Sequence, residues 1–313
     1  MNSLRLRVHA TGWEAPEIHS YELRPPSGGE LPAFTAGAHI DLTLPSGLVR
    51  SYSLVNPQSE HHRYVIAIQK DRASRGGSRW LHENLRVGDL VAVAGPRNNF
   101  ALNEAAPHSV LIAGGIGITP IVSMIDRLES LGRRWQLVYC ARKRAGIAFA
   151  SGLEKKPQVR FNFDEEPGGR ILDIAALVAA APADAHLYCC GPLPMLEAFE
   201  RATERLPRER VHVEYFTAKE AAAREGGFTL VLAKSGREVP VPAGKTILEA
   251  LKGVGIDVPH SCTEGICGTC ETRVVDGTPD HRDLILTPEE RTASMTMMVC
   301  CSGSKSERLV LDL

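Results

Sequence analysis

The sequence has no marked excess of either charge and no long uninterrupted hydrophobic run. Its 36 Lys and Arg residues nearly balance its 37 Asp and Glu residues, so charge argues neither for nucleic-acid binding nor for disorder. The N-terminal segment, MNSLRLRVHATGWEAP, lacks the apolar core of a signal peptide. The longest apolar run, VLIAGGIGITPIVSMI, is interrupted by three glycines and a proline and is too short to span a bilayer. These absences predict a cytoplasmic protein with no membrane or nucleic-acid partner.

The chain is long enough for two or three domains, and the pattern of predicted strands and helices changes along it. Residues 1–103 contain short alternating strands between turns, which predict an antiparallel β-barrel. Residues 104–216 alternate apolar strands with helical patterns, which predict a parallel α/β sheet. The polar, alanine-rich segment 217–227 predicts a linker. Residues 228–313 then begin with a hairpin that turns at Ser235–Gly236, followed by a short helix.

The C-terminal region contains a distinctive set of cysteines. Its spacing is Cys262-x4-Cys267-x2-Cys270, with Cys300 thirty residues further on. A disulfide is unexpected in a non-exported chain of this length. Structural zinc usually takes two C-x2-C pairs, or cysteines with nearby histidines. The observed spacing matches the plant-type ferredoxin pattern for a 2Fe–2S cluster.

The residues between these cysteines also suit a cluster. Gly265 and Gly268 have no side chains, so the loop can wrap closely around an inorganic core and direct backbone N–H groups at it. Cys301 is a rival fourth ligand, and Cys300 is preferred because of its distance from Cys270. The charges of the nearby DHRD segment (280–283) are expected to cap a turn or face a partner.

Three further motifs have the chemistry of coenzyme sites. GGIGITP (114–120) joins a predicted strand to a helix, where glycines would let a pyrophosphate approach the helix N-terminus. It ends in proline, unlike the Rossmann fingerprint, and an ordinary strand-to-helix turn is the alternative. RSYSL (50–54) supplies a forked phosphate donor, an aromatic face and a hydroxyl. RGGS (75–78) stands at a predicted helix start, where its glycines and serine would form an anion-binding turn, and a plain N-cap is the alternative.

Taken in order, the motifs resemble those of the phthalate dioxygenase reductase family, which includes the vanillate demethylase reductases and belongs to the ferredoxin–NADP reductase superfamily. The motifs are RSYSL, RGGS, GGIGITP, YCCGP (188–192), CTEGICGTC (262–270), DHRD and LVLDL (309–313). The resemblance covers almost the whole chain. It implies an FMN-binding β-barrel domain over 1–103, an NAD(P)-binding α/β domain over 104–216 and, after the linker, a β-grasp plant-type ferredoxin domain over 228–313.

The resemblance also implies the residues of each site. The FMN site would comprise Arg50, Ser51, Tyr52, Ser53, Ala67, Ile68, Gln69, Gly76, Gly77, Ser78 and, as a shield of the ring, Phe216. The nicotinamide coenzyme would bind at Gly115, Gly117, Thr119, Pro120, Cys190, Gly191 and Pro192. Ser53 and Cys190 would lie where hydride is transferred, and Cys262, Cys267, Cys270 and Cys300 would hold the cluster.

The expected function is electron transfer from NADH to FMN, then to the 2Fe–2S cluster, and finally to a Rieske non-haem iron oxygenase. A flavin is needed because nicotinamide donates electrons in pairs, whereas the cluster accepts them singly. The basic segment ARKR (141–144) leaves NADPH open. The alternatives are a free-standing NAD(P)H-dependent flavin or quinone reductase and a non-enzymatic redox sensor.

Overall fold

The computed structural model describes residues 3–71 and 76–313. The chain divides into two compact units, Met1–Glu214 and Tyr215–Leu313. Within the described ranges, no helix combines the length and hydrophobicity that crossing a bilayer requires.

The first unit begins with an antiparallel sheet that closes into a barrel. Its strands are β1 (Leu4–Ala15), β2 (Ile18–Arg24), β3 (His39–Thr43), β4 (Val49–Ser53), β5 (Tyr64–Gln69) and β6 (Leu90–Arg97), in the order β4-β3-β6-β1-β2-β5. A bridge between Leu54 and Ile66 joins the two edges. Side chains along each strand point alternately into and out of the barrel. On β1, for example, Leu6 and Val8 are buried inside, while Arg5 and Arg7 are exposed. The predicted barrel is confirmed, with helix α1 (Gly77–Asn84) between β5 and β6.

The rest of the first unit is a parallel sheet with helices. Its strands are β7 (His108–Gly114), β8 (Arg134–Ala141), β9 (Val159–Phe163), β10 (His186–Cys190) and β11 (Val211–Glu214), in the order β11-β10-β7-β8-β9. The helices are α2 (Ile118–Ser130), α3 (Ala150–Leu153), α4 (Ile174–Ala179) and α5 (Leu193–Thr203). The predicted apolar face of α2 is buried at Ile121, Met124, Ile125 and Leu128. The chain reverses its direction across the sheet between β7 and β10, where doubly wound folds bind ligands.

The barrel and the parallel sheet share one hydrophobic core. Ala67 and Phe100 from the barrel side belong to the same buried cluster as Ile118, Met124 and Cys190. The amide N–H of Gly37 also donates to Ser123 Oγ on α2 at 3.2 Å. This shared core fixes the two halves of the first unit against each other.

The second unit is a mixed β-sheet packed against a helix. Its strands are β12 (Phe228–Leu232), β13 (Glu238–Val241), β14 (Glu271–Asp276), β15 (Pro279–Asp280), β16 (Thr296–Met298), β17 (Gly303–Ser304) and β18 (Arg308–Leu311), and its helices are α6 (Ile247–Gly253) and α7 (Pro288–Ala293). The main sheet has the order β13-β12-β18-β14-β16, with β12 parallel to β18. This is the predicted β-grasp arrangement, and β12 and β13 form the predicted hairpin.

The segment before β12 is ordered against the second unit. The amide N–H of Ala223 donates to the carbonyl of Cys301 at 2.7 Å, and Ala223 is buried. Arg224 forms an ion pair with Glu249 at 2.9 Å. The polar composition of 217–227 predicts a linker, but composition does not reveal these backbone and charge contacts, which attach its second half to the ferredoxin-like sheet.

Candidate functional site

The predicted flavin-phosphate residues of β4 and α1 lie together. A Cβ placed on Gly77 would come within 2.8 Å of Arg50 Cγ and 3.0 Å of its Nε, so only glycine lets the arginine pass across the helix start. Gly76 is the N-cap of α1 at φ 98°, and no side chain caps the first turn. A guanidinium beside uncapped backbone N–H groups is a suitable site for a phosphate. Arg75, the first residue of the RGGS motif, lies outside the described residues.

Strand β4 presents its predicted flavin residues on two faces. Because neighbouring side chains alternate, Arg50 and Tyr52 share one face, and Ser51 and Ser53 share the other. Burial raises the pKa of the Tyr52 hydroxyl, which therefore stays neutral. Ser51 is engaged elsewhere, since its Oγ donates to the buried Asp41 carboxylate at 2.6 Å.

Strand β5 connects the barrel site to the nucleotide half of the unit. Ala67 and Ile68 are buried, and Gln69 at the strand end is exposed. The carbonyl of Ile68 lies 2.8 Å from His82 Nε2, which secures α1 against β5. The same strand contacts the 3-10 turn Gly115–Gly117. The structure therefore brings the two predicted coenzyme regions next to each other within the first unit.

The two predicted nucleotide loops pack directly against each other at the switch between β7 and β10. A Cβ on Gly117 would lie 2.5 Å from the carbonyl carbon of Cys190 and 2.8 Å from the nitrogen of Gly191. A Cβ on Gly114 would lie 2.6 Å from Pro192 Cδ. Helices α2 and α5 both begin here without a side-chain cap. The amide N–H of Ile118 donates to the carbonyl of Gly115, and those of Met195 and Leu196 donate to Pro192, so a pyrophosphate here would meet the positive ends of two helices rather than a full set of open N–H groups. Glycine is therefore required at these positions by close backbone approach.

The remaining nucleotide residues support this turn. The hydroxyl of buried Thr119 donates to the carbonyl of Ile116 at 3.0 Å, and Pro120 is buried in the first turn of α2. Gly115 has φ 54°. Its carbonyl accepts from the hydroxyl of Tyr139 on the neighbouring strand at 3.1 Å.

A carboxyl group that the sequence did not reveal stands beside Cys190. Glu214 ends β11, and its Oε2 lies 4.0 Å from Cys190 Sγ. Burial raises the pKa of Glu214 to about 8 and raises that of the Cys190 thiol. Both groups are therefore protonated at neutral pH, which places a proton donor at the predicted hydride-transfer residue. The one sequence feature that could have revealed Glu214 is its position as an acidic residue at the carboxyl end of a predicted parallel strand.

The predicted flavin shield, Phe216, belongs to the second unit and has 36% of its surface exposed.

The four predicted cluster ligands lie together and are buried. None of the eight cysteines forms a disulfide. Hydrogen bonds from Cys267 and then Cys300 lower the pKa of Cys262, and one from Cys300 lowers that of Cys270. These contacts link the sulfurs in the order Cys267, Cys262, Cys300, Cys270. Among the described residues, no group of three or more His, Cys, Asp or Glu side chains is arranged to hold a single metal ion.

The surroundings of these thiols fit an inorganic sulfide cluster. The amide N–H of Glu264 points at Cys262 Sγ at 3.3 Å, and Thr269 Oγ1 lies 3.3 Å from Cys267 Sγ. The Oγ of Ser261 is buried without a hydrogen-bond partner, and a cluster sulfur would supply an acceptor for it. Gly265 and Gly268 adopt φ 71° and 73°, the left-handed conformation that favours glycine.

Cys300 has the better position of the two candidates for fourth ligand. Its thiol contacts those of Cys262 and Cys270, one from each part of the cysteine loop, as well as that of its neighbour Cys301. The Sγ of Cys301 instead lies 3.7 Å from the carbonyl of Met298, behind Gly265. The geometry favours the predicted set.

A flavin-reductase type of barrel, a nicotinamide-type parallel sheet and a four-thiol β-grasp unit define an iron–sulfur electron-transfer reductase. Two family models match the chain: an oxidoreductase NAD-binding domain over residues 111–201 and a 2Fe-2S iron-sulfur cluster binding domain over residues 230–304.

Relatives that align with nearly the whole chain support the same class of protein. Phenoxybenzoate dioxygenase subunit beta from Ectopseudomonas oleovorans is 56% identical, over 100% of this chain and 98% of the relative. Tetrachlorobenzoquinone reductase from Sphingobium chlorophenolicum is 54% identical, over 96% and 94%. A solved phthalate dioxygenase reductase, described as a modular structure for electron transfer from pyridine nucleotides to [2Fe-2S], is 38% identical with a TM-score of 0.76, over 100% of this chain and 98% of that one.

The chain belongs to the phthalate dioxygenase reductase family. The predicted family, fold class and enzyme class, an oxidoreductase with NAD-binding and 2Fe–2S domains, are thereby confirmed. The individual site residues and the exact domain boundaries stay predictions.

Proposed function

We propose that this protein is the NADH-dependent reductase component of a two-component Rieske-type oxygenase system in the cytoplasm. The observation that carries the proposal is the buried set of four cysteines, none in a disulfide, in the C-terminal unit of a reductase with a nicotinamide-type crevice. A cluster there would serve as the outlet for electrons that enter at the crevice. Eight buried cysteines without a disulfide suit a reducing compartment.

In this proposal the protein's own residues bind and orient the coenzymes. Arg50 and the start of α1 hold the FMN phosphate, and Tyr52 lines the flavin. The Gly115–Gly117 turn and Gly191–Pro192 receive the nicotinamide coenzyme. When bound, FMN converts the electron pair of NADH into single electrons for the 2Fe–2S cluster. Glu214 and Cys190, both protonated, keep the hydride-transfer point electrically neutral.

Replacing Arg50 with alanine is expected to weaken FMN binding by about 10- to 100-fold, because a charge-assisted phosphate contact contributes about 1.5–3 kcal/mol. The dissociation constant can be measured by fluorescence titration of the flavin-free protein with FMN. Arg5→Ala, on the exposed face of β1, is the matched control. FMN binding by Arg50→Ala that equals the control would contradict the assigned phosphate site.

The two arginines of the basic ARKR segment are paired with carboxylates, which favours NADH over NADPH. Arg142 Nε lies 3.5 Å from Glu165, and Arg144 Nη1 lies 2.8 Å from Glu154. A carboxylate oxygen of Glu166 accepts from the amide N–H of Arg144 at 2.6 Å. A 2′-phosphate placed here would meet these acids as well as the bases, so the segment is not a vacant anion site.

Removing these acids should relax the coenzyme preference. The double variant Glu165→Gln, Glu166→Gln is expected to raise kcat/KM for NADPH relative to NADH by about 5- to 20-fold, equivalent to about 1–2 kcal/mol of repulsion. Steady-state kinetics with both coenzymes measure the ratio. The exposed Glu204→Gln serves as control. An unchanged ratio would show that the coenzyme's ribose does not approach this segment.

A free-standing quinone reductase is the second candidate, and one observation favours it: a relative 54% identical to this chain is named tetrachlorobenzoquinone reductase. The two functions are separated by comparing acceptors. NADH oxidation is measured with the purified oxygenase component of phenoxybenzoate dioxygenase and its substrate, and separately with tetrachlorobenzoquinone. Faster, saturable turnover with the oxygenase supports the proposal, whereas saturable turnover with the quinone alone supports the alternative.

A further inference from the structure

A buried carboxylate lies directly behind the cysteine loop. Asp283, the last residue of the DHRD segment, has only 1% of its surface exposed. Its Oδ2 accepts from the amide N–H groups of Ile285 and Leu286 at 3.0 and 2.8 Å. The side chain therefore caps a tight turn, as the sequence predicted for this segment. A charge so deeply buried is costly unless it is paired or has a function.

This turn is joined to the cysteine loop at the glycine between Cys262 and Cys267. The amide N–H of Leu284 donates to the carbonyl of Gly265 at 2.8 Å. A Cβ on Gly265 would lie 2.9 Å from the Cα of Asp283, so the two backbones pack without an intervening side chain. Any displacement of the turn must consequently displace the loop that carries three of the four thiols, Cys262, Cys267 and Cys270.

Two further side chains surround the carboxylate. Arg291 of α7 donates through Nη2 to the carbonyl of Asp283, and the same nitrogen lies 3.9 Å from Asp283 Oδ2. His281 Nδ1 lies 3.9 Å from Oδ1, an oxygen that has no hydrogen-bond partner. Burial lowers the pKa of His281, which leaves it neutral. The charged groups around His281 are the buried Asp283, the partly exposed Arg291, and Asp280 with Lys305. Lys305 Nζ lies 3.9 Å from Asp280 Oδ1, so these two charges oppose each other, and Asp283 with Arg291 is the pair within the turn itself.

We infer that Asp283 and Arg291 are positioning residues for the 2Fe–2S cluster: the Asp283 turn holds the Cys262–Cys267 loop, and the two opposite charges set the cluster potential. The inference rests on the proposed function, since it requires the four thiols to carry a cluster.

The two charges should act in opposite directions. Reduction adds one electron to the cluster, so a nearby anion disfavours the reduced form and a nearby cation favours it. Asp283→Asn keeps the size of the side chain and an oxygen for the turn, but removes the negative charge. It is expected to raise the midpoint potential. Arg291→Gln removes the positive charge and is expected to lower it.

The experiment is an EPR-monitored redox titration of the purified holoprotein, with iron and acid-labile sulfide counted for each variant. Asp276→Asn is the control, because Asp276 lies in the same unit with 77% of its side chain exposed. Its potential should equal that of the wild type. Asp283→Ala also removes the oxygen that caps the turn, so it should lose cluster while Asp283→Asn retains it. Flavin reduction by NADH should be unchanged throughout.

Shifts of Asp283→Asn and Arg291→Gln in the same direction would overturn the inference, and so would shifts no larger than that of Asp276→Asn. Should Asp283→Asn fail to retain cluster, Arg291→Gln alone decides the sign, because its guanidinium is not a cap of the turn. A wild-type protein without iron and sulfide would refute the proposed function itself. A wild-type protein with a cluster whose potential ignores both charges would refute only this inference.

Discussion

Replacing Cys267 with serine is expected to abolish electron delivery to the acceptor, by at least about 100-fold, while flavin reduction by NADH continues at nearly the wild-type rate. Serine keeps the shape of the side chain but is not ionised at neutral pH, so it is a poor ligand for iron, for which thiolates are preferred. Cys267 is buried and contacts Cys262, so a water molecule from solvent is not expected to replace it as a ligand. Anaerobic stopped-flow measures flavin reduction, and steady-state reduction of the acceptor measures delivery.

Cys301→Ser is the informative control for this experiment. Cys301 is as deeply buried as Cys300 and adjacent to it, yet it lies behind Gly265 rather than between Cys262 and Cys270. This variant should keep its iron, sulfide and electron delivery. Equal loss of flavin reduction and delivery in Cys267→Ser would contradict the division of labour between the two units.

Replacing Gly117 with alanine is expected to reduce kcat/KM for NADH by about 10- to 100-fold, with FMN and cluster contents unchanged. The added methyl group would lie 2.5 Å from the carbonyl carbon of Cys190, and overpacking of this kind costs about 1–3 kcal/mol. Relieving this clash requires the two nucleotide loops to separate, which would displace the helix N-termini proposed to receive the pyrophosphate. The rate of flavin reduction as a function of NADH concentration measures the effect.

Gly152→Ala is the matched control, because Gly152 has no atom within 4 Å of the added Cβ and a backbone that accepts L-residues. It should behave as wild type with NADH. A Gly117→Ala variant with normal kinetics would show that the contact between the Gly115–Gly117 turn and Cys190 is not part of the nucleotide site.

Local patterns predicted much of the fold. The spacing of Cys262, Cys267 and Cys270 is a local ligand pattern, and the structure keeps those residues in one buried loop. The apolar face of α2 follows from helical periodicity, and the strands of the parallel sheet follow from apolar runs between helices. In each case the determining contacts lie within one element or one loop.

Contacts between residues far apart in the sequence could not be predicted in this way. Glu214 faces Cys190 only because β11 pairs with β10, and Arg50 meets Gly77 only because α1 packs over the end of β4. Asp283 likewise reaches Gly265 across the β-grasp unit. Charged residues such as Asp283 and Glu214 are usually exposed, so their burial follows from the tertiary fold alone.

The most direct test of the whole account is an anaerobic titration of the purified protein with NADH, followed by visible absorption and EPR. The account predicts that NADH bleaches a flavin band and that a rhombic EPR signal of a reduced 2Fe–2S cluster then appears. Bleaching of the flavin without any cluster signal, or a colourless protein, would show that electrons from NADH do not reach the four thiols.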